Sequence, residues 1–312
     1  MLFPFRRLTT LLLLSALACQ TAVAGPLMDK IKERRAERQA ENAVEAPLEL
    51  PTGASLIKDL PYGPGARERM DVYLPKQASK APVIFMVHGG AWRTGDKAAQ
   101  QVVANKVTRW VSQGFILVST NYPLLPDAKP LQQAEAVARA LATAQAKAPS
   151  WGGSADHFIV MGHSAGAHLV AFLAASPTLA AAQNAKPWLG TVALDSAALD
   201  VETIMQAKHM RFYDQAFGDD PTYWQQTSPN YVLAAGAAPL LAVCSTLRKV
   251  ACQQAQLFAD HAASLNVSVS LLKQNNTHKE INQLLGTPGA YTDAVERFMA
   301  SLDIDVGKRL GR

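Results

Sequence analysis

Short apolar runs alternate with longer helical stretches from Leu56 onward, and this alternation limits the fold more than any other feature of the chain. The strand-like runs lie at residues 70–74, 82–87, 115–120, 157–161, 191–194, 239–243 and 267–272. The helical stretches lie at residues 97–113, 131–147, 165–175, 252–264 and 290–301. Strands that alternate with helices at this spacing predict crossover connections, and therefore a mostly parallel sheet with helices on both faces. The predicted fold class is α/β.

The alternation lapses at residues 200–238, which are rich in aromatic residues and are punctuated by Pro221 and Pro229. We interpret this stretch as an excursion over the top of the sheet. Two interpretations remain open for it. It forms a lid or substrate wall, or it packs onto the scaffold without touching a substrate.

A short apolar segment stands near the start of the chain. Arg6 and Arg7 precede an apolar run at residues 8–18, which is too short to cross a bilayer comfortably. The small residues at 22–24 then form a cleavage site, so residues 1–24 are predicted to be a secretory signal peptide. The protein is therefore expected to be exported, to the periplasm or the medium. The alternative is lipid anchoring at Cys19, because residues 16–19 loosely resemble a bacterial lipobox.

The rest of the chain suits one large domain. We expect a charged arm at residues 25–54, an α/β domain at residues 55–303 and a tail at residues 304–312. No later stretch is long and apolar enough to be a membrane helix. The net charge is only +5 over the whole chain, which favours neither a nucleic-acid partner nor a strong attraction to membranes.

The strongest local signal is the sequence GHSAG at residues 162–166, which lies between a strand-like run and a helical stretch. A sharp strand-to-helix turn needs small residues around its serine, whose hydroxyl then projects from the carboxyl edge of the sheet. The N-terminus of the helix that follows the serine carries a partial positive charge, which favours negative charge that develops beside the serine during a reaction. The pattern predicts Ser164 as a nucleophile.

A second motif, HGGAW at residues 88–92, directly follows the strand-like run at residues 82–87. Backbone N–H groups that stabilise an oxyanion must approach it closely, which glycine permits. We assign the amides of Gly89, Gly90 and Ala165 to an oxyanion hole. His88 is interpreted as a structural residue that steadies the loop, and Trp92 is expected beside the pocket mouth.

The two motifs together resemble the α/β-hydrolase superfamily, near bacterial esterases that carry an HGGxW oxyanion loop and a G-x-S-x-G elbow. Residues 71–75 (DVYLP) and 121–126 (NYPLLP) resemble two further segments of these proteins, although Pro123 replaces the usual Arg. The resemblance covers about residues 55–303. It extends to the hormone-sensitive-lipase-like, feruloyl-esterase-like and kynurenine-formamidase-like branches, and it implies an α/β-hydrolase fold.

The same resemblance implies a general base on the loop after the eighth strand. His278 stands at that position, after the strand-like run at residues 267–272. His163 lies inside the elbow and His168 on the following helix, so neither competes for the role. We therefore expect His278 to take the proton from Ser164.

The acid of a catalytic triad is harder to find. Members of the superfamily usually keep it just after the seventh strand, near Val250 here, but residues 239–259 contain no carboxylate. Arg248 and Lys249 cannot replace it, because a cation would oppose the imidazolium that forms during catalysis.

The best replacement is Asp195, which directly follows the apolar run at residues 191–194 and lies at the same carboxyl edge as Ser164 and His278. Some lipases of this superfamily take their acid from that strand. The alternative is that Asp195 only caps the turn at residues 196–197. Asp200 and Asp260 are weaker candidates, since one lies further into the excursion and the other lies well into a helix.

Two cysteines, Cys244 and Cys252, remain if the signal peptide is removed, and they flank the segment that lacks the acid. An even pair in an exported protein favours a disulfide. The alternative is two buried free thiols.

The resemblance implies a serine esterase that cleaves a small-molecule or polymeric ester through an acyl-enzyme. No metal or organic cofactor is expected, because no ligand cluster or phosphate-binding loop of suitable spacing is present. Two alternatives remain open. One is an amidase or peptidase on the same scaffold, and the other is a binding protein that has lost its triad acid.

Overall fold

A computed structural model describes Met1 and residues 48–312 of the chain. The predicted signal peptide, the lipobox cysteine Cys19 and most of the charged arm therefore lie outside the described residues. Leu48 to Arg312 form one compact unit. Leu48 and Leu50 pack against its core, so the unit begins earlier than the predicted boundary at residue 55.

The centre of this unit is a single eight-stranded sheet, in the order β1-β2-β4-β3-β5-β6-β7-β8. Strands β3 to β8 run parallel to one another, whereas β1 and β2 join the edge in antiparallel fashion. The strands are β1 (Ser55–Pro61), β2 (Arg69–Leu74), β3 (Ala81–Val87), β4 (Ile116–Thr120), β5 (Gly153–His163), β6 (Gly190–Leu194), β7 (Leu240–Ser245) and β8 (Val269–Gln274). The prediction of a mostly parallel sheet of α/β class is confirmed. The sequence did not reveal β1, because this edge strand is mostly exposed and carries no apolar run.

Helices cover both faces of the sheet. They are α1 (Gln100–Lys106), α2 (Pro130–Lys147), α3 (Ala165–Ala175), α4 (Pro177–Ala182), α5 (Val201–Gln206), α6 (Arg211–Phe217), α7 (Pro221–Gln226), α8 (Pro229–Val232), α9 (Lys249–Ser264), α10 (His278–Gln283), α11 (Ala290–Leu302) and α12 (Ile304–Arg309). A π-helical turn, Val107–Val111, continues α1. Residues 304–312, which we predicted to be a tail, instead contain α12, whose Val306 is fully buried in the core.

Alternating side chains of β3 divide the core into two layers. Val83, Phe85 and Val87 pack on one face with residues of α2 and α3, while Ile84 and Met86 pack on the other face with α1 and α11. This alternation follows from the two-residue period of a strand. Because β3 is buried on both faces, it is a continuous apolar run, which is why the sequence identifies it clearly.

The strand register brings the carboxyl ends of five strands together. Val87 of β3 pairs with Gly162 of β5, and His163 of β5 pairs with Leu194 of β6. Ser245 of β7 pairs with Gln274 of β8. The residues that follow these strands therefore leave the sheet side by side at its carboxyl edge, where open parallel sheets bind ligands.

A buried lysine links two helices on this side of the fold. The Nζ group of Lys106, the last residue of α1, donates to the backbone oxygen of Asn282 at 2.6 Å and to its Oδ1 at 3.0 Å. Asn282 belongs to α10, the helix that begins with His278. Burial lowers the pKa of Lys106 to about 7, because the charged form loses its hydration.

Lys106→Met should remove a pH dependence from the free energy of unfolding. The pKa of Lys106 is about 7 in the folded chain and has its ordinary value of 10.5 when the side chain is exposed. Between these values the unfolded state binds more protons, so stability rises with pH by up to about 1.4 kcal/mol per unit. Urea unfolding from pH 7 to 10 should show this slope in the wild type and in the exposed-lysine control Lys147→Met. Parallel profiles for Lys106→Met and the wild type would contradict the expectation.

Candidate active site

Ser164 lies in a sharp turn between β5 and α3. Its φ of 56° and ψ of −117° are a strained combination for a residue with a side chain. Gly162 and Gly166 make the turn possible: an added Cβ at Gly162 would collide with the backbone of Gly166, and one at Gly166 would collide with the backbone of Val87. The turn leaves Ser164 partly exposed at the carboxyl edge of the sheet.

His278 lies within hydrogen-bonding distance of this serine. The Oγ of Ser164 is 2.9 Å from Nε2 of His278. We expected His278 on a loop, but it is the first residue of α10, and Thr277 caps that helix with Glu280 in a capping box. Nε2 of His163 donates to the backbone oxygen of His278 at 2.9 Å, which further fixes the chain at this point.

Asp195 contacts the other side of the same imidazole. Its Oδ2 is 2.6 Å from Nδ1 of His278, and its Oδ1 accepts a hydrogen bond of 2.9 Å from the backbone N–H of Ser245. The carboxylate is fully buried. The turn after Asp195 is closed by Ser196, whose Oγ accepts from the N–H of Ala198 at 3.1 Å.

The pKa of the Asp195 carboxyl is lowered to about 2. Burial alone would raise it, but the hydrogen bond from His278, the charge of Arg248 and the N–H of Ser245 together outweigh burial. The carboxylate therefore stays ionised across the physiological pH range.

The other acid positions considered from the sequence lie elsewhere in the fold. Val250, near which the resemblance implied an acid, belongs to the first turn of α9 and is 56% exposed. Asp200 caps α5 by accepting from the N–H of Thr203 at 3.0 Å. Asp260 is exposed and pairs with Gln256.

Arg248, which precedes α9, is the residue at this site that sequence reasoning missed. Its Nη1 is 2.6 Å from Oδ2 of Asp195, 3.1 Å from the backbone oxygen of Asp195 and 2.7 Å from Nδ1 of His278. We had set this residue aside because a cation opposes an imidazolium. An aspartate at the end of a buried strand needs a positively charged partner, and this requirement is the indication in the sequence that could have predicted the contact between Asp195 and Arg248.

The loop after β3 approaches the serine closely. An added Cβ at Gly89 would lie 2.9 Å from both the Cβ of Ser164 and the backbone oxygen of His163, so only glycine fits there. The backbone oxygen of Gly90 accepts from the N–H groups of Arg93 and Thr94, which folds the loop into a tight turn. Ala165, the third predicted donor, is the first residue of α3.

His88 supports this loop from below. It is fully buried and stacks on Tyr122 with ring centroids 4.5 Å apart. Its Nδ1 donates to the backbone oxygen of Gly89 at 2.7 Å. Burial lowers the pKa of His88 to about 4, so the ring is neutral at physiological pH. These contacts agree with the structural role that we predicted for it.

Trp92 joins the loop to the excursion at residues 200–238. Its Nε1 donates to Nδ1 of His168 at 3.2 Å, and Nε2 of His168 donates to the backbone oxygen of Thr227 at 2.8 Å. Phe217 of α6 contacts the Trp92 ring edge to face at 4.9 Å between centroids. Trp92 is buried beneath the excursion, whereas Phe212 beside it stays partly exposed. Whether the excursion also contacts a substrate stays a prediction.

Cys244 and Cys252 form a disulfide, with their Cα atoms 5.1 Å apart. Cys244 lies in β7 and Cys252 in α9. The closed loop includes Ser245 and Arg248, which both donate to Asp195. The disulfide therefore encloses two of the three residues that bind this carboxylate.

Among residues 48–312, one group of His, Cys, Asp or Glu side chains lies close enough to share a metal ion: His157, Asp303 and Asp305. His157 stands in the first half of β5, away from the carboxyl edge that carries Ser164. Oδ1 of Asp303 already accepts from two backbone N–H groups of α12, and Asp305 pairs with Lys308. Within the same residues, no helix is both long and apolar enough to cross a membrane.

The strand order, the strained serine after β5 and the histidine after β8 together define an α/β-hydrolase fold. The sequence profile of the BD-FAE family matches residues 70–261. The chain belongs to the BD-FAE family.

Curated relatives include esterases. Esterase LipQ of Mycobacterium tuberculosis is 31% identical over 201 residues, which are 60% of this chain and 47% of LipQ. Esterase LipC of the same organism is 33% identical over 112 residues, or 35% of this chain and 27% of LipC. A kynurenine formamidase of Salmo salar is 29% identical over 121 residues, or 38% of this chain and 39% of that protein. The matched part thus spans less than half the length of these relatives.

Solved structures support the fold. Esterase B from Lactobacillus rhamnosis superposes with a TM-score of 0.68 at 17% identity, covering 92% of this chain and 96% of its own. A truncated carbohydrate esterase from gut microbiota also gives a TM-score of 0.68, at 15% identity, covering 83% of this chain and 99% of its own. Identities this low establish a shared architecture only.

The disulfide should be measurable in the purified protein. Thiol titration of the denatured, unreduced chain carrying Cys19→Ser should find no free thiol, and reduction should release two. Closing a loop this short stabilises the fold by about 2–3 kcal/mol on the chain-entropy model, so reduction should also lower the urea midpoint. Two thiols titrated before reduction would contradict the pairing.

Proposed function

We propose that this protein is a serine esterase that hydrolyses carboxylic esters through an acyl-enzyme intermediate. The observation that carries the proposal is the continuous chain of contacts from Ser164 through His278 to Asp195, at 2.9 and 2.6 Å. This arrangement of Ser164 as nucleophile, His278 as base and Asp195 as orienting acid is the one that serine hydrolases need. The similarity to named esterases supports the same reaction class.

In the first half of the reaction, Oγ of Ser164 attacks the ester carbonyl carbon while its proton passes to Nε2 of His278. The carbonyl oxygen becomes an oxyanion, which the N–H groups of Ala165 and of the Gly89–Gly90 turn stabilise. The tetrahedral intermediate then collapses. The bond to the alcohol oxygen breaks, His278 returns its proton to the leaving alcohol, and the acyl group remains on Ser164.

Water completes the cycle by the same route. His278 takes a proton from the attacking water, the second tetrahedral intermediate forms on the same donors, and its collapse releases the carboxylic acid and restores the Ser164 hydroxyl. Asp195 holds Nδ1–H of His278, so that Nε2 is free to accept the proton, and its negative charge stabilises the imidazolium.

A second candidate function is an amidase, because two kynurenine formamidases are 29% and 30% identical to this chain over 121 and 118 residues. The same residues would cleave a C–N bond, with His278 protonating the leaving amine. Turnover of an ester and of its matched amide separates the two. The further alternative, a binding protein without a functional acid, is disfavoured by the contact between Asp195 and His278.

We also propose that the protein is exported. The apolar N-terminal segment with its small-residue cleavage site supports export, and so does the disulfide between Cys244 and Cys252. Mass measurement of the chain recovered from the producing cell would reveal cleavage after Ala24 or a lipid on Cys19.

Ser164→Ala should abolish ester hydrolysis and leave the fold intact, because the turn accepts a small side chain. We expect turnover of a short acyl nitrophenyl ester to fall at least about 1000-fold. Labelling by a fluorescent phosphonate should be lost as well. Ser301→Ala, at an exposed serine of α11, serves as the matched control and should keep both signals. Retention of labelling in Ser164→Ala would show that another residue is the nucleophile.

Asp195→Asn should lower kcat by about 100- to 10,000-fold with little change in KM, because the amide favours the wrong tautomer of His278. Asp200→Asn, at the cap of α5, is the control and should stay near wild-type activity. Val250→Asp should change activity less than about threefold, since Val250 is exposed on α9 and His278 already has an acid. A neutral Asp195→Asn combined with a large gain in Val250→Asp would show that Asp195 is not the acid.

A further inference from the structure

Arg248 contacts both members of the acid–base pair. One nitrogen, Nη1, is 2.6 Å from Oδ2 of Asp195 and 2.7 Å from Nδ1 of His278. The guanidinium carries its charge at every pH at which a protein is folded. Its side chain is 29% exposed, whereas the Asp195 side chain is fully buried. The positive charge therefore lies at the border between the buried carboxylate and solvent.

The contact between Nη1 and Nδ1 joins two hydrogen-bond donors in the productive tautomer. For Nε2 to accept the serine proton, Nδ1 must carry its own proton and donate it to Oδ2 of Asp195. The two hydrogens of Nη1 then have Oδ2 and the backbone oxygen of Asp195 as acceptors, at 2.6 and 3.1 Å. The Arg248 cation and the neutral imidazole of His278 thus both donate to the same oxygen, Oδ2 of Asp195.

Protonation of His278 changes this balance. The imidazolium would bring a second positive charge to within contact distance of the guanidinium, with one carboxylate between the two. Coulomb repulsion at such a distance disfavours the added proton even where water screens part of the charge. The first proton that the Asp195–His278 pair takes up on acidification is therefore taken up at lower pH when Arg248 is present.

The other ionisable groups near the imidazole do not bring a charged atom into contact with the ring. His163, at the end of β5, is close to the ring, but burial lowers its pKa to about 3, so it is neutral. Burial also raises the pKa values of Tyr213 and Tyr291, which both feel the charge of Asp195, and keeps them neutral. Lys106 is hydrogen-bonded to Asn282, one turn along α10 from His278, and becomes charged only below its pKa of about 7, whereas Glu280 is exposed and bound to Thr277. Arg248 and Asp195 are thus the charges that contact the ring.

We propose that Arg248 is a positioning residue that sets the acid limit of this enzyme: its charge, held against Asp195, keeps His278 in the neutral form that accepts the serine proton at a lower pH than the triad alone would allow. The inference rests on the function proposed above. It gives a role to the cation on the loop after β7, two residues before Val250. It also predicts a readout that a purely structural arginine would not change, namely the acidic limb of the pH–activity profile.

The experiment measures kcat/KM for a nitrophenyl ester from pH 4 to 9 and compares the pH at which it falls to half its plateau. Arg248→Met should move this half-point upward by about one pH unit, since removing a cation makes the pair easier to protonate. Arg248→Gln, which keeps a neutral donor for Asp195, should show the same upward shift. Arg248→Lys, which keeps the charge, should stay within about 0.3 units of the wild type.

Lys249→Met is the matched control, because Lys249 is exposed, adjacent in sequence and carries the same charge. It should move the half-point by less than about 0.2 units, as expected for a screened surface charge. The half-point does not depend on a pH-independent loss of active protein, and circular dichroism of each variant over the same pH range shows whether it stays folded where the half-point is read. An unchanged or lower half-point in Arg248→Met, an equal shift in Arg248→Lys, or an equal shift in Lys249→Met would each overturn the proposal.

A second measurement is independent of esterase activity. NMR titration of the His278 ring, assigned by comparison with His278→Gln, should show proton uptake at higher pH in Arg248→Met than in the wild type. If the protein proves not to hydrolyse esters, the proposed function fails, yet the ring titration still tests the charge effect of Arg248. Coincident titration curves would overturn the inference whatever the activity.

Discussion

The parallel register of β5 and β6 is the constraint on which the site depends. His163 pairs with Leu194, so the next residue of each strand, Ser164 and Asp195, leaves the sheet at the same level of its carboxyl edge. Both residues have a positive φ of 56°, which turns each side chain out of the strand direction. The backbone N–H of Ser164 donates to the oxygen of Leu194 at 2.9 Å and ties the two turns together. Strain at two adjacent turns is tolerated here because the fully buried strands beneath them cannot shift.

Much of this arrangement was predictable from the sequence. The buried parts of the central strands β3 to β7 are mostly apolar because both faces are covered, and such runs are easy to recognise. The glycines around Ser164 and at Gly89 are predictable for a different reason, since the close backbone approaches allow no side chain. Strand β1 was not predictable, because an exposed edge strand needs no apolar pattern. The sequence analysis placed His278 on a loop, whereas α10 begins at this residue. The capping box formed by Thr277 and Glu280 is the sequence pattern that indicates this start.

Arg248 shows where reasoning from single residues reaches its limit. A cation does oppose the imidazolium of His278, but the same cation also faces Asp195. Asp195 is fully buried, and a buried carboxylate needs donors and a compensating charge. Repulsion of the imidazolium and neutralisation of the buried carboxylate therefore act against each other. Which of them prevails depends on the distances from Arg248 to His278 and to Asp195, and these distances follow from the β7–α9 connection rather than from any local pattern. The disulfide between Cys244 and Cys252 constrains this connection, so the pair of cysteines that flanks the segment without an acid shapes the surroundings of Asp195.

The absence of carboxylates from residues 239–259 then follows from the position of Asp195. A loop after β7 that supplies the acid presents an acceptor to the histidine. With Asp195, directly after β6, as the proposed acid, the same loop faces a buried carboxylate and presents donors to it, which are the N–H of Ser245 at 2.9 Å and the guanidinium of Arg248 at 2.6 Å. An additional carboxylate on this loop would repel Asp195 and compete with it for the same donors. Moving the acid by one strand therefore reverses the charge that the neighbouring loop has to carry.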